Sequence, residues 1–139
     1  MPVMSELDRT ACERLLRRET FGRVVVVTPA GAEIVPVNYV VDADAIVIRT
    51  ATDGLLASHG RGAPLVFEID FVDRDRWQGW SVVARGTGEV VDDAPPTAPG
   101  HPRVRPWPDG DHSSELRLAW TELSGRQVGR QISGAGSAR

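Results

Sequence analysis

The sequence predicts a mainly β protein: six antiparallel strands in a closed or nearly closed barrel, with an N-terminal helix and one or two short helices. Three observations carry this. From residue 23 onward the apolar residues recur with a period of two over short runs bounded by Gly, Pro and Asp. No crossover helix of the length that parallel strands require separates those runs. Six half-buried strands leave two exposed edges, and closure removes them.

The elements follow in chain order. Residues 5 to 19 read as a helix, with Ser5 placed to cap it, Asp8 three residues on, and Ala11, Cys12, Leu15 and Leu16 forming one apolar stripe. RVVVVTP is a β-branched strand ending at the turn PAGA. EIVPVNYVV is the second strand, and Pro36 inside it marks an edge, a bulge or an opening in the ladder. DAD is a tight turn, and AIVIRTA is the third strand. A short helix follows in TDGLLASHGRG, with Asp53 near its start and Gly60 at its end. PLVFEIDFV alternates, with Leu65, Phe67, Ile69 and Phe71 on one face. WSVVARGTGEVV is a long fifth strand whose Gly86 and Gly88 predict a bulge or a close backbone approach. Residues 93 to 113 are a Pro-rich irregular crossing. ELRLAWTEL is the sixth strand, with Leu116, Leu118 and Trp120 facing one way, and residues 129–139 read as a disordered tail.

Composition narrows the function. The chain of 139 residues is one domain's length, and its net charge of −3 argues against nucleic acid as a partner. No apolar run approaches the ~20 residues that span a bilayer. The N-terminus lacks the basic start and apolar run of a secretory signal, and Cys12 is the single cysteine, so a reducing, cytoplasmic setting is expected. All 16 basic residues are arginine, which excludes lysine Schiff-base chemistry and leaves any anion to Arg, hydroxyls or backbone N–H groups. His59, His101 and His112 have no metal-ligand spacing, so no metal is expected. RGTGEV lies inside a strand and is not a dinucleotide fingerprint, and no Gly-x-Ser-x-Gly elbow supports hydrolysis.

One stretch asks for a ligand. VPVNYVVDADAIVIRTA sets Asn38 and Tyr39 mid-strand and Arg49 and Thr50 at the end of the next strand. Arg49 offers a forked guanidinium and Thr50 a hydroxyl to a phosphate, beside the start of the short helix, whose free N–H groups also favour an anion. On spacing alone, a surface arginine at a strand end is the commoner arrangement. Asn38 and Tyr39 suit the polar rim of a planar cofactor, or equally an amide satisfied by a turn and a half-buried phenol. Trp80 and Trp107 can stack on a flat ring, whereas Trp120 reads as core and Trp77 sits in a polar turn, where it serves a dimer contact or no role.

The ordered set FGRVVVV, VPVNYVVDADAIVIRTA, PLVFEID, GWSVVARGTGEVV and WTELSGRQV resembles the small bacterial FMN-binding split barrels related to pyridoxamine 5′-phosphate oxidase. The resemblance runs from about residue 7 to 128, so residues 1–128 form one flavin-binding domain. It implies a homodimer with FMN in a groove between the subunits, acting as an oxidoreductase on a small molecule. Pro36, Val37, Asn38 and Tyr39 match the strand along the flavin ring. Arg49, Thr50 and Ala51 match the phosphate segment, Trp80, Ser81 and Val82 another wall of the groove, and Trp107 an aromatic near the ring. No catalytic side chain is implied, because the cofactor carries the chemistry.

Two departures qualify it. Where the family carries a phosphate-binding lysine this chain has Leu55, or Leu56 if the loop differs by one, and Arg61 or Arg23 is the candidate replacement. No counterpart of the oxidases' C-terminal substrate-phosphate residues is found, so vitamin B6 phosphate is not the expected substrate. A deazaflavin in place of FMN, or a barrel that has lost its cofactor and binds another small ligand, are the alternatives.

Overall fold

The structure is a computed structural model and describes residues 4–95 and 113–129. The expectations for Trp107, for His101 and His112, and for the tail beyond Gly129 lie outside the described residues. The chain opens with β1 (Met4–Glu6) and α1 (Arg9–Arg18). The helix starts later than its predicted residue 5, and Asp8 caps it in place of Ser5. The Asp8 carboxylate accepts from the Ala11 N–H at 2.8 Å, while Ser5 is paired with Gln127 in a ladder. The predicted stripe is the buried one: Ala11, Cys12, Leu15 and Leu16 all face the core. Burial, and then the nearby Asp8 carboxylate, push the Cys12 thiol up to about 11, so it stays a packed, unreactive thiol.

The remaining elements are β2 (Phe21–Thr28), β3 (Gly31–Asn38), β4 (Val40–Asp42), β5 (Ala45–Thr50), α2 (Leu55–Gly60), β6 (Pro64–Asp73), β7 (Gln78–Val91) and β8 (Ser114–Val128). They pair in the order β3-β2-β6-β7-β8-β5-β4, with β1 added on β8, and every pairing is antiparallel. The described residues therefore hold an 8-stranded sheet where six strands were predicted. One extra strand is β1. The other arises because the predicted second strand breaks at Tyr39.

That break has a local cause. The Tyr39 N–H donates to the Thr20 carbonyl at 2.9 Å, and its hydroxyl donates to the Leu16 carbonyl at 2.7 Å. Both ends of one residue are thus tied to the exit of α1, and the chain swings from the β2 ladder to the β5 ladder. β3 and β4 are the two ends of the pairing path, so a single bent segment rolls the sheet shut. β3 and β5 touch without sharing a ladder, which leaves a split in the wall. Pro36 lies in β3, the end strand of the path, where a residue without an N–H is tolerated.

The interior is filled by alternate residues: Val24 and Val26, Ile46 and Ile48, Leu65, Phe67 and Ile69, Val82 and Ala84, and Leu116, Leu118 and Trp120, closed below by the helix stripe. Phe71, the fourth member of the predicted inward row, is 52% exposed because β6 and β7 run on past the barrel as a hairpin. The β7–β8 ladder shifts register between Arg85 and Gly86, the bulge that the glycines predicted. At Gly88 the approach is closer still: a Cβ there would meet the Gly60 carbonyl oxygen and lie 2.6 Å from Leu65 Cδ1. Gly88 N–H donates to the Ala63 carbonyl and its own carbonyl accepts from Gly62 N–H, both at 2.8 Å. The α2–β6 corner is thereby laid flat on β7.

Candidate functional site

At the end of β5 several polar side chains converge. Arg49 is half-buried and donates from Nη2 to the Ala94 carbonyl at 3.0 Å and from Nη1 to the Pro95 carbonyl at 3.2 Å. Thr50 is buried and faces Ser114 in the ladder. Thr52 Oγ1 lies 2.9 Å from Ser113 Oγ and 2.8 Å from Ser114 Oγ. Ser114 Oγ donates to Asp92 Oδ1 at 3.2 Å, and Arg61 grips both oxygens of Asp92 at 3.0 and 2.9 Å. Two guanidinium groups, three hydroxyls and the Asp92 carboxylate thus stand at one corner; Asp92 neutralises Arg61, and Arg49 with the hydroxyls is the donor set that suits a phosphate. Ala51 accepts from the Gly54 N–H at 3.0 Å, and Leu55, 40% exposed, opens α2.

Of the two arginines that could replace the missing lysine, Arg61 is at this corner. Arg23 is elsewhere, forked between Glu68 and Asp70 at 3.1 Å each. Sequence reasoning missed Thr52, Asp92, Ser113 and Ser114. Only the β5–β8 and β7–β8 ladders bring these together, and no local pattern marks them.

Across the split from Arg49 lies the end of β3. Pro36 is exposed, Asn38 is half-buried and Val37 is buried opposite Gly22. Tyr39 is fully enclosed, edge-on to Phe67 at 4.7 Å, with its hydroxyl spent on Leu16. Burial raises its phenol well above the ordinary value, so it stays a protonated donor. The Tyr39 side chain is therefore a structural strut, and only its backbone borders the split.

The third set sits apart. Trp80 and Ser81 line a cleft of about 710 Å³ at the turn end of the β6–β7 hairpin, with Phe71, Trp77 and Val128. Val82, the next residue, points inward and is core. Phe71 stacks on Trp80 at 6.4 Å, and the Arg18 guanidinium lies 5.8 Å from the centroid of the Trp80 ring. Neither Asn38 nor Arg49 lines the cleft. Trp77, left as a turn residue by the sequence, is 74% exposed at φ 51° and forms its outer wall. Trp120 is core, as predicted, and its Nε1–H is buried without a partner among the described residues.

Two further observations bound the chemistry. Among the described residues there is no cluster of His, Cys, Asp and Glu able to hold a metal ion, and no helix is long and apolar enough to cross a membrane. Beside the cleft, burial, reinforced by the Asp70 carboxyl and opposed by Arg23, pushes Glu68 up to about 7.

Comparison with known proteins agrees with this architecture. The family model described as pyridoxamine 5′-phosphate oxidase matches residues 8–127. An uncharacterised protein of Mycobacterium tuberculosis, Rv0080, is 34% identical over 107 residues, covering 73% of this chain and 70% of the relative. The FAD-binding protein of Mycobacterium smegmatis superposes with a TM-score of 0.69 at 27% identity, over 90% of this chain and 98% of that one. A candidate pyridoxamine 5′-phosphate oxidase of Corynebacterium glutamicum gives 0.72 at 29% identity, over 94% and 96%. With the barrel, its split and these matches together, the chain belongs to the FMN-binding split-barrel family related to pyridoxamine 5′-phosphate oxidase.

Proposed function

We propose that this protein is an FMN-dependent oxidoreductase that works as a homodimer on a small molecule. The observation that carries the reading is the convergence of Arg49, Thr52, Ser113 and Ser114 at one lip of the split. Arg49 and the three hydroxyls would hold the flavin phosphate, and Arg61 would replace the absent lysine only by exchanging its pairing with Asp92 for the phosphate. The Arg49 guanidinium would exchange the Ala94 and Pro95 carbonyls for phosphate oxygens, a stronger, charge-assisted pairing. Pro36, Val37, Asn38 and the Tyr39 backbone would border the ring. When bound, the flavin supplies hydride transfer, and the protein contributes position and exclusion of water. Trp80 and Ser81 belong to a separate face, so a second copy of the chain would bring them to the ring, and two-fold symmetry would give two equivalent sites. The single cysteine, buried in α1, fits a cytoplasmic setting.

Leu55 favours one second reading. Without a lysine at that corner, a deazaflavin with a long acidic tail is accommodated among arginines as well as FMN is. The test is titration of apo-protein with FMN, FAD and deazaflavin, followed by the visible absorbance of the bound cofactor. FMN is expected to bind best and to turn the protein yellow, and Arg49→Ala to weaken it by more than about tenfold. A chain that ignores all three, or binds FMN unchanged after Arg49→Ala, overturns the assignment.

A further inference from the structure

We propose that Glu68 and Asp70 share one acidic proton on the outer face of β6, and that Asp70 hands it to the substrate as a hydride arrives from the flavin. The inference rests on the flavin reading for the hydride, and on this face of the sheet alone for the proton.

Glu68 and Asp70 stand two residues apart on one strand, so both carboxyls leave the same face of the sheet. They lie close enough to hydrogen-bond, which two carboxyls do only with a proton between them. One guanidinium serves both: Arg23 donates from Nη1 to Glu68 and from Nη2 to Asp70, each at 3.1 Å. Two carboxylates against one arginine leave a negative charge over, and a like pair relieves it by keeping one proton. The adjoining strands do not cancel that charge. Glu68 faces Arg23 on β2 and Val83 on β7, and Asp70 faces Ser81 on β7. Beyond them on β8 stand Ser124 and Arg126, the latter turned to the Met4 sulfur at 3.8 Å. Burial, reinforced by Asp70 and opposed by Arg23, holds Glu68 at about 7, where a proton is both kept and given.

Placement decides which carboxyl delivers it. Asp70 lines the cleft and Glu68 does not. Ser81, the ladder partner of Asp70, is the residue that a second copy would bring to the ring, so Asp70 comes to the same place, its Cα about 5 Å away. Side-chain exposure is 37% at Asp70 and 26% at Glu68, so Asp70 meets ligand and water while Glu68 stores and positions the proton. A polar double bond in the substrate takes the flavin hydride at one end and the Asp70 proton at the other. Both carboxyls are then ionised, and water reloads the pair.

The test has two arms. In apo-protein, infrared difference spectra between pH 5.5 and pH 8 are expected to show a protonated carboxyl band that vanishes with a midpoint of about 7. Glu68→Gln abolishes the band, and Asp70→Asn moves its midpoint to lower pH, because the like charge is gone. Both side chains are part-exposed, so these variants fold. In FMN-loaded, reduced protein, 2-methyl-1,4-naphthoquinone serves as the acceptor and reoxidation is followed by stopped flow. The wild-type rate is expected to fall as pH rises through about 7. Asp70→Asn slows it by at least about tenfold at pH 6, with FMN affinity within a factor of about two. Glu68→Gln is slow as well and loses the fall near 7, since Asp70 alone beside Arg23 stays ionised throughout. Absence of the band from the wild type, or its survival in Glu68→Gln, overturns the shared proton and leaves the flavin reading standing. Wild-type rate and pH profile in Asp70→Asn overturn the delivery. A protein that shows the band and takes up no FMN sinks the flavin reading, and the delivery with it, while the shared proton stands.

Discussion

Replacing Tyr39 with Phe separates a structural tyrosine from a cofactor ligand. The substitution deletes one oxygen and preserves the ring's edge-on packing against Phe67. That oxygen donates at 2.7 Å to the Leu16 carbonyl, within the last turn of α1. Carbonyls there lack helical partners, and Glu19 N–H already serves Leu15. Without the phenol the Leu16 carbonyl is left in a buried place, at a cost of about 1–3 kcal/mol. For a domain of this size that lowers Tm by roughly 3–4 °C per kcal/mol. The assay is urea unfolding followed by tryptophan fluorescence, with the midpoint read at constant slope. FMN affinity is expected to stay within a factor of about two, because only the Tyr39 backbone borders the split. A loss of stability below about 0.5 kcal/mol, or a drop in FMN affinity of about tenfold with stability intact, refutes the reasoning and restores the phenol as a flavin contact.

Other outcomes follow from the same coordinates. Leu55→Lys places an ammonium at an exposed position of the phosphate corner. It should tighten FMN by one charge-assisted hydrogen bond, about 1.5–3 kcal/mol or roughly ten- to a hundredfold, measured by fluorescence titration. Gly88→Ala drives a methyl into the Gly60 carbonyl and Leu65, and a destabilisation of about 1–3 kcal/mol or more is expected by denaturant titration. Glu68 titrates at about 7 in the folded chain against an ordinary 4.5, so the native state holds the extra proton. The stability it contributes is complete below pH 4.5 and is lost as pH rises through 7. Glu68→Gln should therefore narrow the fall in Tm between pH 5.5 and pH 8, as seen by thermal denaturation across that range.

The fold was largely legible because burial imposes periodicity. The stripe of Ala11, Cys12, Leu15 and Leu16 and the alternation of Leu65, Phe67 and Ile69 read directly as inward faces. β1 was not legible: its three residues are exposed on both faces and carry no alternation. Nor was the break at Tyr39, since VPVNYVVD keeps strand chemistry throughout and the contacts that bend it come from α1. The site divides in the same way. Arg49 and Thr50 stood out as polar groups ending an apolar strand. Thr52, Asp92, Ser113 and Ser114 are ordinary loop residues in the sequence, and only strand register assembles them. Trp77 sat in a polar turn, where nothing in the sequence tells an aromatic wall from a stray ring.

The short β4–β5 ladder has a dynamic consequence. It joins three residue pairs, Val40 with Val47, Val41 with Ile46, and Asp42 with Ala45, and it closes one side of the rolled sheet. Apart from the three-pair junctions of β2 with β6 and of β1 with β8, every other ladder of the sheet is longer. Breathing of the native state should start at this latch, since few backbone bonds must part there and Tyr39 anchors the hinge beside it. Amide deuteration would then run ahead at Val40–Asp42 while Leu116–Trp120 stays protected, and a molecule wedged in the split would slow that opening without touching the latch itself.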